Sequence, residues 1–243
     1  NSLNQSYIFQ IFSNILTIDS NLFYDFINKG YHLGLIDIFW EHFEFADDDD
    51  DESRVIASIF KFLPIFYLNN DVLLQRTPDF FKEWLIAFSK SFEEISWDNR
   101  FVMPAIIESI QKCSNTDSFI ILYKFYIERN FPIYFNLVRH SNKNVRMNMI
   151  KTFLNFTKIE PEELVKIVDA GLFDIELNYV EMDSEEIINF LNLMHQYLLK
   201  SIEIAGKIAF SKILYDINNN GVFLIFNIKE LFFVVLAQLI RAH

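Results

Sequence analysis

One cysteine, five glycines and five prolines among 243 residues rule out several common ways of building a protein. A lone Cys113 excludes an intramolecular disulfide and a cysteine-based zinc site, and it reads as a small buried apolar side chain in a reducing compartment. So few glycines and prolines, with 22% charged and 17% aromatic residues, exclude a disordered chain. The length suffices to bury a core. No glycine-rich phosphate loop, G-x-S-x-G elbow or His-Glu-x-x-His spacing occurs, and His32, His42, His140, His195 and His243 are scattered. The chain is therefore expected to be no enzyme and to hold no cofactor or metal. Asp47 to Asp51 with Glu52 lacks the alternating ligands and glycine turn of a calcium loop; it reads as a solvated loop favouring a helix that starts near Ser53.

Basic residues are scarce as well. A formal charge of −12 and a pI near 4.8 oppose attraction to nucleic acid or anionic lipid, so no direct nucleic-acid partner is expected. Residues 1–10 carry no basic stretch ahead of an apolar run, the mark of a secretory signal. The most apolar segment, Gly221 to Ile240, is interrupted by Asn227, Lys229, Glu230 and Gln238; it reads as two core helices rather than a membrane span. An intracellular location, in cytoplasm or nucleus, is the expectation.

What is abundant is helical periodicity. Val145, Met149, Ile150, Phe153 and Leu154 form one apolar stripe, with Asn148, Lys151, Asn155 and Lys158 on the other side. A shorter helix follows from Pro161, with Glu162 and Glu163 against its dipole, and stops at Ala170-Gly171. A third begins at Leu172, and Asp183-Ser184-Glu185-Glu186 opens another long helix with Ile187, Phe190, Leu191, Met194 and Leu198 on its apolar face.

This pattern recurs. Residues 7–39 overlay 148–180 at a constant offset of 141, placing Asn14 on Asn155, Phe26 on Ile167 and Gly30 on Gly171. That offset is about three units of roughly 47 residues, within the length of armadillo and HEAT repeats. More worn units fit between, around Val55 to Leu63 with Pro64 stopping or kinking the helix, and around Val102 to Ile110.

The chain resembles the armadillo repeat family, best at Thr152-Phe153-Leu154-Asn155-Phe156-Thr157 with Ile167-Val168-Asp169-Ala170-Gly171-Leu172. Ile11-Phe12-Ser13-Asn14-Ile15 with Phe26-Ile27-Asn28-Lys29-Gly30 carries the same likeness. The resemblance implies an all-α fold, a right-handed α-α superhelix of about five units in one domain over 1–243. The units span roughly 1–44, 52–92, 98–140, 142–182 and 184–230, with a further one opening at 231–243. It also implies that the long helix of each unit lines a concave groove. Tyr7 and Ser58 join that stripe, and its candidate binding residues are Gln10, Asn14, Arg54, Lys61, Glu108, Lys112, Asn148, Lys151, Asn155, Asn189, Asn192 and Gln196.

Side-chain amides along such a ladder can hydrogen-bond the backbone of an extended peptide. The expected function is that of a scaffold or adaptor, or a regulatory subunit, binding an extended protein segment of acidic or neutral character. An importin-alpha-like cargo adaptor is the alternative, but that family pairs each groove asparagine with a tryptophan four residues earlier. Gln10 and Lys151 stand there, and lysine repels lysine-rich cargo. The first helix (Tyr7, Ile8, Ile11, Phe12) and the last (Leu231 to Leu236) lack the polar outer face of a capping repeat. More repeats or a second copy are expected to cover them.

Overall fold

The computed structural model describes residues 2–46, 50–62, 64–65, 83, 86–87, 90–91, 93–96, 99–114, 131–174, 182–209 and 226–242. Expected helices at 72–75 and 119–127, most of 78–88, and the helix after Leu172 lie outside them. All regular structure among the described residues is helical. Contacts divide the chain into two compact units, residues 1–119 and 120–243.

In the first unit a long helix, α1 (Ser2–Ile18), is followed by α2 (Ser20–Asn28) and α3 (Tyr31–Phe43). Asp19 caps α2 by accepting hydrogen bonds from the backbone N–H groups of Asn21 and Leu22. Gly30, at φ 73°, makes the turn into α3. Two further long helices are α4 (Asp50–Phe60) and α5 (Val102–Cys113). The long helices pack in chain order, α1 along α4 and α4 along α5, while α3 backs α4. Phe23, Phe39, Phe60 and Phe62 are fully buried in this core.

Helix α4 starts at Asp50, three residues ahead of the expected Ser53, because Asp50, Asp51 and Glu52 occupy its first turn, where the helix dipole favours carboxylates. Ser53 is instead buried, donating to the Ala46 carbonyl. The helix ends at Phe60, ahead of Pro64, as that proline requires.

The second unit repeats the scheme. Its described helices are α6 (Phe131–Leu137), α7 (Lys143–Asn155), α8 (Pro161–Asp169), α9 (Ser184–Leu198), α10 (Ile202–Ala209) and α11 (Phe226–Ala242). Here α7 packs along α9 and α9 along α11. Gly171 follows α8 at φ 104°, where an added Cβ would meet no close atom yet would cost about 1–2 kcal/mol in backbone strain. Helix α11 is continuous from Phe226 across the expected unit boundary at 230–231; the two core helices expected over 221–240 are thus one helix from 226 onward. Isolated polar residues such as Asn227 and Gln238 do not interrupt a helix, since their side chains can leave the backbone ladder intact.

A buried ion pair ties α7 to α9. Arg146 Nε and Nη2 donate to Glu186 Oε1 and Oε2 at 2.6 and 3.1 Å, and Arg146 Nη1 donates to the carbonyls of His140 and Ser141 at 2.7 and 2.8 Å. Glu186 also accepts the backbone N–H of Asp183 while Asp183 accepts that of Glu186, a complete capping box at the start of α9. At the rim Lys143 donates to Asp183, which holds that carboxyl below its usual range with the Glu186 N–H as the next cause.

Candidate binding surface

In the first unit the exposed side of three adjacent long helices holds a cavity of about 230 Å³. Gln10 reaches it from α1, Arg54, Ser58 and Lys61 from α4 and its C-terminal turn, and Pro104 and Glu108 from α5, with Arg100 and Phe101 just ahead of that helix. Four candidate residues read from the sequence thus converge on one concavity: Gln10, Arg54, Lys61 and Glu108. Asn14 is exposed one turn beyond Gln10, and Lys112 is exposed one turn beyond Glu108.

The charges are unevenly matched. Arg100 pairs with Asp50, and Glu108 pairs with Lys112 at 2.7 Å. Arg54 and Lys61 have no carboxylate partner among the described residues. The Arg54 guanidinium lies 4.1 Å from the centroid of the Phe101 ring and that of Arg100 lies 4.8 Å from it, so one aromatic ring contacts two cations. The wall is locally basic in a chain of charge −12.

Two expected groove residues are not exposed on the cavity wall. Ser58 is 1% exposed and lies in the seam between helices, 2.8 Å from Ser6 Oγ and donating to the Arg54 carbonyl at 2.7 Å. It forms the floor of the cavity, because a small hydroxyl satisfied by its own helix is cheap to bury there. Tyr7 is exposed on α1 and does not line the cavity.

Arg100 and Phe101 were not among the sequence candidates. Stepping back from Glu108 by four and seven residues reaches Pro104 and Phe101 on the same helix face, a signal hidden by reading Phe101 as core. Asn99 fixes both in place: its Oδ1 accepts the N–H groups of Phe101 and Val102 at 3.0 and 2.8 Å, and its Nδ2 donates to Ala46 and Ser53 at 2.9 Å.

In the second unit Asn148, Lys151 and Asn155 recur on one face of α7, and Asn189, Asn192 and Gln196 on one face of α9. None of the six is buried, whereas Met149, Ile150, Phe153, Phe190, Leu191 and Met194 between them are at 0% exposure. Asn189 turns its amide back to donate to the Glu185 carbonyl at 2.8 Å. The half-buried His195 bonds Gln238 of α11 at 2.7 Å.

Cys113 is fully buried, and burial pushes its thiol well above the usual range, so the thiolate is disfavoured. Among the described residues no three His, Cys, Asp or Glu side chains gather as metal ligands, and no helix is long and apolar enough to cross a membrane.

No family model and no curated protein sequence matches the chain. Solved structures do. An engineered protein known from its crystal structure superposes with a TM-score of 0.68 at 14% identity, covering 98% of this chain and 93% of that one. The designed armadillo repeat protein YIII(Dq)4CqI superposes with a TM-score of 0.64 at 13% identity, covering 96% of this chain and 92% of that one. The chain therefore has an armadillo-like repeat fold, the all-α class expected from its periodicity.

Proposed function

We propose that this chain is a non-enzymatic interaction scaffold, an adaptor or regulatory subunit, that holds an extended acidic segment of a partner protein along its long helices. The observation carrying this reading is the cavity between α1, α4 and α5, where Arg54 and Lys61, beside the amide of Gln10, pair with no carboxylate among the described residues. A carboxylate or phosphate on the ligand would complete both cations, and the amide would take a backbone group. In the second unit, Asn148, Asn155, Asn192 and Lys151 offer the same combination of amides and a cation on adjacent helices. The single, buried cysteine suits work inside the cell, in cytoplasm or nucleus.

Calorimetric titration with glutamate-rich, phosphoserine-containing and lysine-rich peptides tests the reading. The acidic peptides are expected to bind, with affinity falling as salt screens the contact over a Debye length of about 8–10 Å. Preference for the lysine-rich peptide would replace this reading by the importin-alpha-like one.

A further inference from the structure

Arg54 and Lys61 stand two turns apart on one face of α4 and its C-terminal turn. That is about 10 Å along the axis, close enough for two long side chains to reach one ligand group. Ala57 and Ser58 lie between them, and Pro104 and Ala105 of α5 line the same cavity, so nothing bulky separates the two cations. The Arg54 guanidinium lies over the Phe101 ring, and Asn99 holds that residue by accepting its backbone N–H at 3.0 Å. Stacking occupies the face of a guanidinium and leaves the N–H groups in its plane for an acceptor. No acceptor for them, or for the Lys61 ammonium, lies among the described residues.

Charge and size decide which acceptor fits. Arg100 is paired with Asp50 and Glu108 with Lys112, which leaves the positive charges of Arg54 and Lys61 without a carboxylate among the described residues. One ligand carboxylate balances one of them. A phosphoryl group on a side chain carries about −1.5 to −2 at pH 7 and three acceptor oxygens, enough for both. At about 230 Å³ the cavity is smaller than the about 300–1,000 Å³ of small-molecule and cofactor sites, which suits one side chain of a larger ligand rather than a nucleotide or coenzyme.

We infer, on the reading of this wall as the binding surface, that the cavity between α1, α4 and α5 receives one phosphorylated side chain of the bound protein segment. Arg54 supplies a planar fork to two phosphoryl oxygens, and Lys61 supplies the second charge. Gln10, whose amide Nε2 donates to Ser58 Oγ at 3.5 Å, keeps its carbonyl oxygen for a backbone N–H of the segment. Phosphorylation of the partner then acts as the switch that brings it to this chain.

Retention of peptide pools by the immobilised whole chain tests this. Each pool is degenerate at its flanking positions and fixed at a central serine, phosphoserine, glutamate or pair of glutamates. The phosphoserine pool is expected to be retained about tenfold or more above either glutamate pool, with the serine pool lowest. Arg54→Lys keeps the charge but loses the fork, and is expected to lose most of that preference. Lys61→Gln is the second variant should Arg54→Lys lose its helical circular dichroism. Inorganic phosphate equimolar with the peptides is expected to displace almost none of them; full displacement would mark a site for free phosphate and overturn the inference. Glutamate pools retained as well as phosphoserine, or a full preference surviving in both variants, would overturn it too, while leaving the acidic-segment scaffold standing. Retention of no pool, or of serine equally with the rest, would overturn both.

Discussion

Replacing Glu186 by alanine is expected to cost about 3–5 kcal/mol of stability, because it strands the buried Arg146 guanidinium without its counter-charge. Arg146 is 4% exposed and Glu186 is fully buried, so water cannot take the place of the lost carboxylate. The same change removes the acceptor for the Asp183 N–H and so half of the capping box of α9. Against a typical total of about 5–15 kcal/mol, the loss would be visible as a large fall in the urea midpoint. Far-ultraviolet circular dichroism is the suitable readout: Trp40, Trp84 and Trp97 all lie in residues 1–119, so tryptophan fluorescence does not report directly on the second unit. The double replacement Arg146→Met with Glu186→Leu is expected to recover most of the loss, since a buried ion pair exchanged whole for apolar groups is often neutral. A Glu186→Ala midpoint within error of the unmodified chain would mean the pair is hydrated in solution.

The second large effect concerns the binding surface. Changing Arg54 and Lys61 together to glutamate is expected to weaken an acidic peptide by about a hundredfold, consistent with the 2–5 kcal/mol typical of losing a desolvated charge contact. Arg54 is half-buried and Lys61 exposed, neither pairs with a carboxylate among the described residues, and the fold should tolerate the change. Circular dichroism checks the fold and calorimetry the affinity. Equal affinity of variant and parent would place the contact elsewhere. The paired change Lys112→Glu with Glu108→Lys serves as a control: it exchanges the two charges of an existing ion pair, leaves the net charge of the wall unchanged and is expected to do little.

Self-contained local signals are legible in the sequence. Pro161 with Glu162 and Glu163 starts α8, Gly171 ends its turn at positive φ, and Asp183 with Glu186 opens α9, because each of these depends on a few neighbouring backbone groups. The packing of the long helices along one another also follows from the apolar stripe at 145–154, which needs a neighbouring helix to cover it. Arg146 is not legible in this way. It occupies a position on the buried stripe, three and four residues before Met149 and Ile150, but its partner lies 40 residues away and no local pattern shows the pairing. The same holds at the candidate site: helical phase alone gathered Gln10, Arg54, Lys61 and Glu108, while Arg100 and Phe101 depend on Asn99 reaching across to Ala46 and Ser53. Ser58 went the other way, drawn into the seam by the hydroxyl of Ser6.

Site-directed photocrosslinking with an acidic peptide tests the central claim most directly. A photoreactive side chain placed at Lys61 or Lys151, on the exposed side of the long helices, is expected to capture the peptide. The same group at Asn28 or Glu162, exposed on the short helices α2 and α8, is expected to capture none. Capture at Asn28 and Glu162 with none at Lys61 and Lys151 would contradict the account.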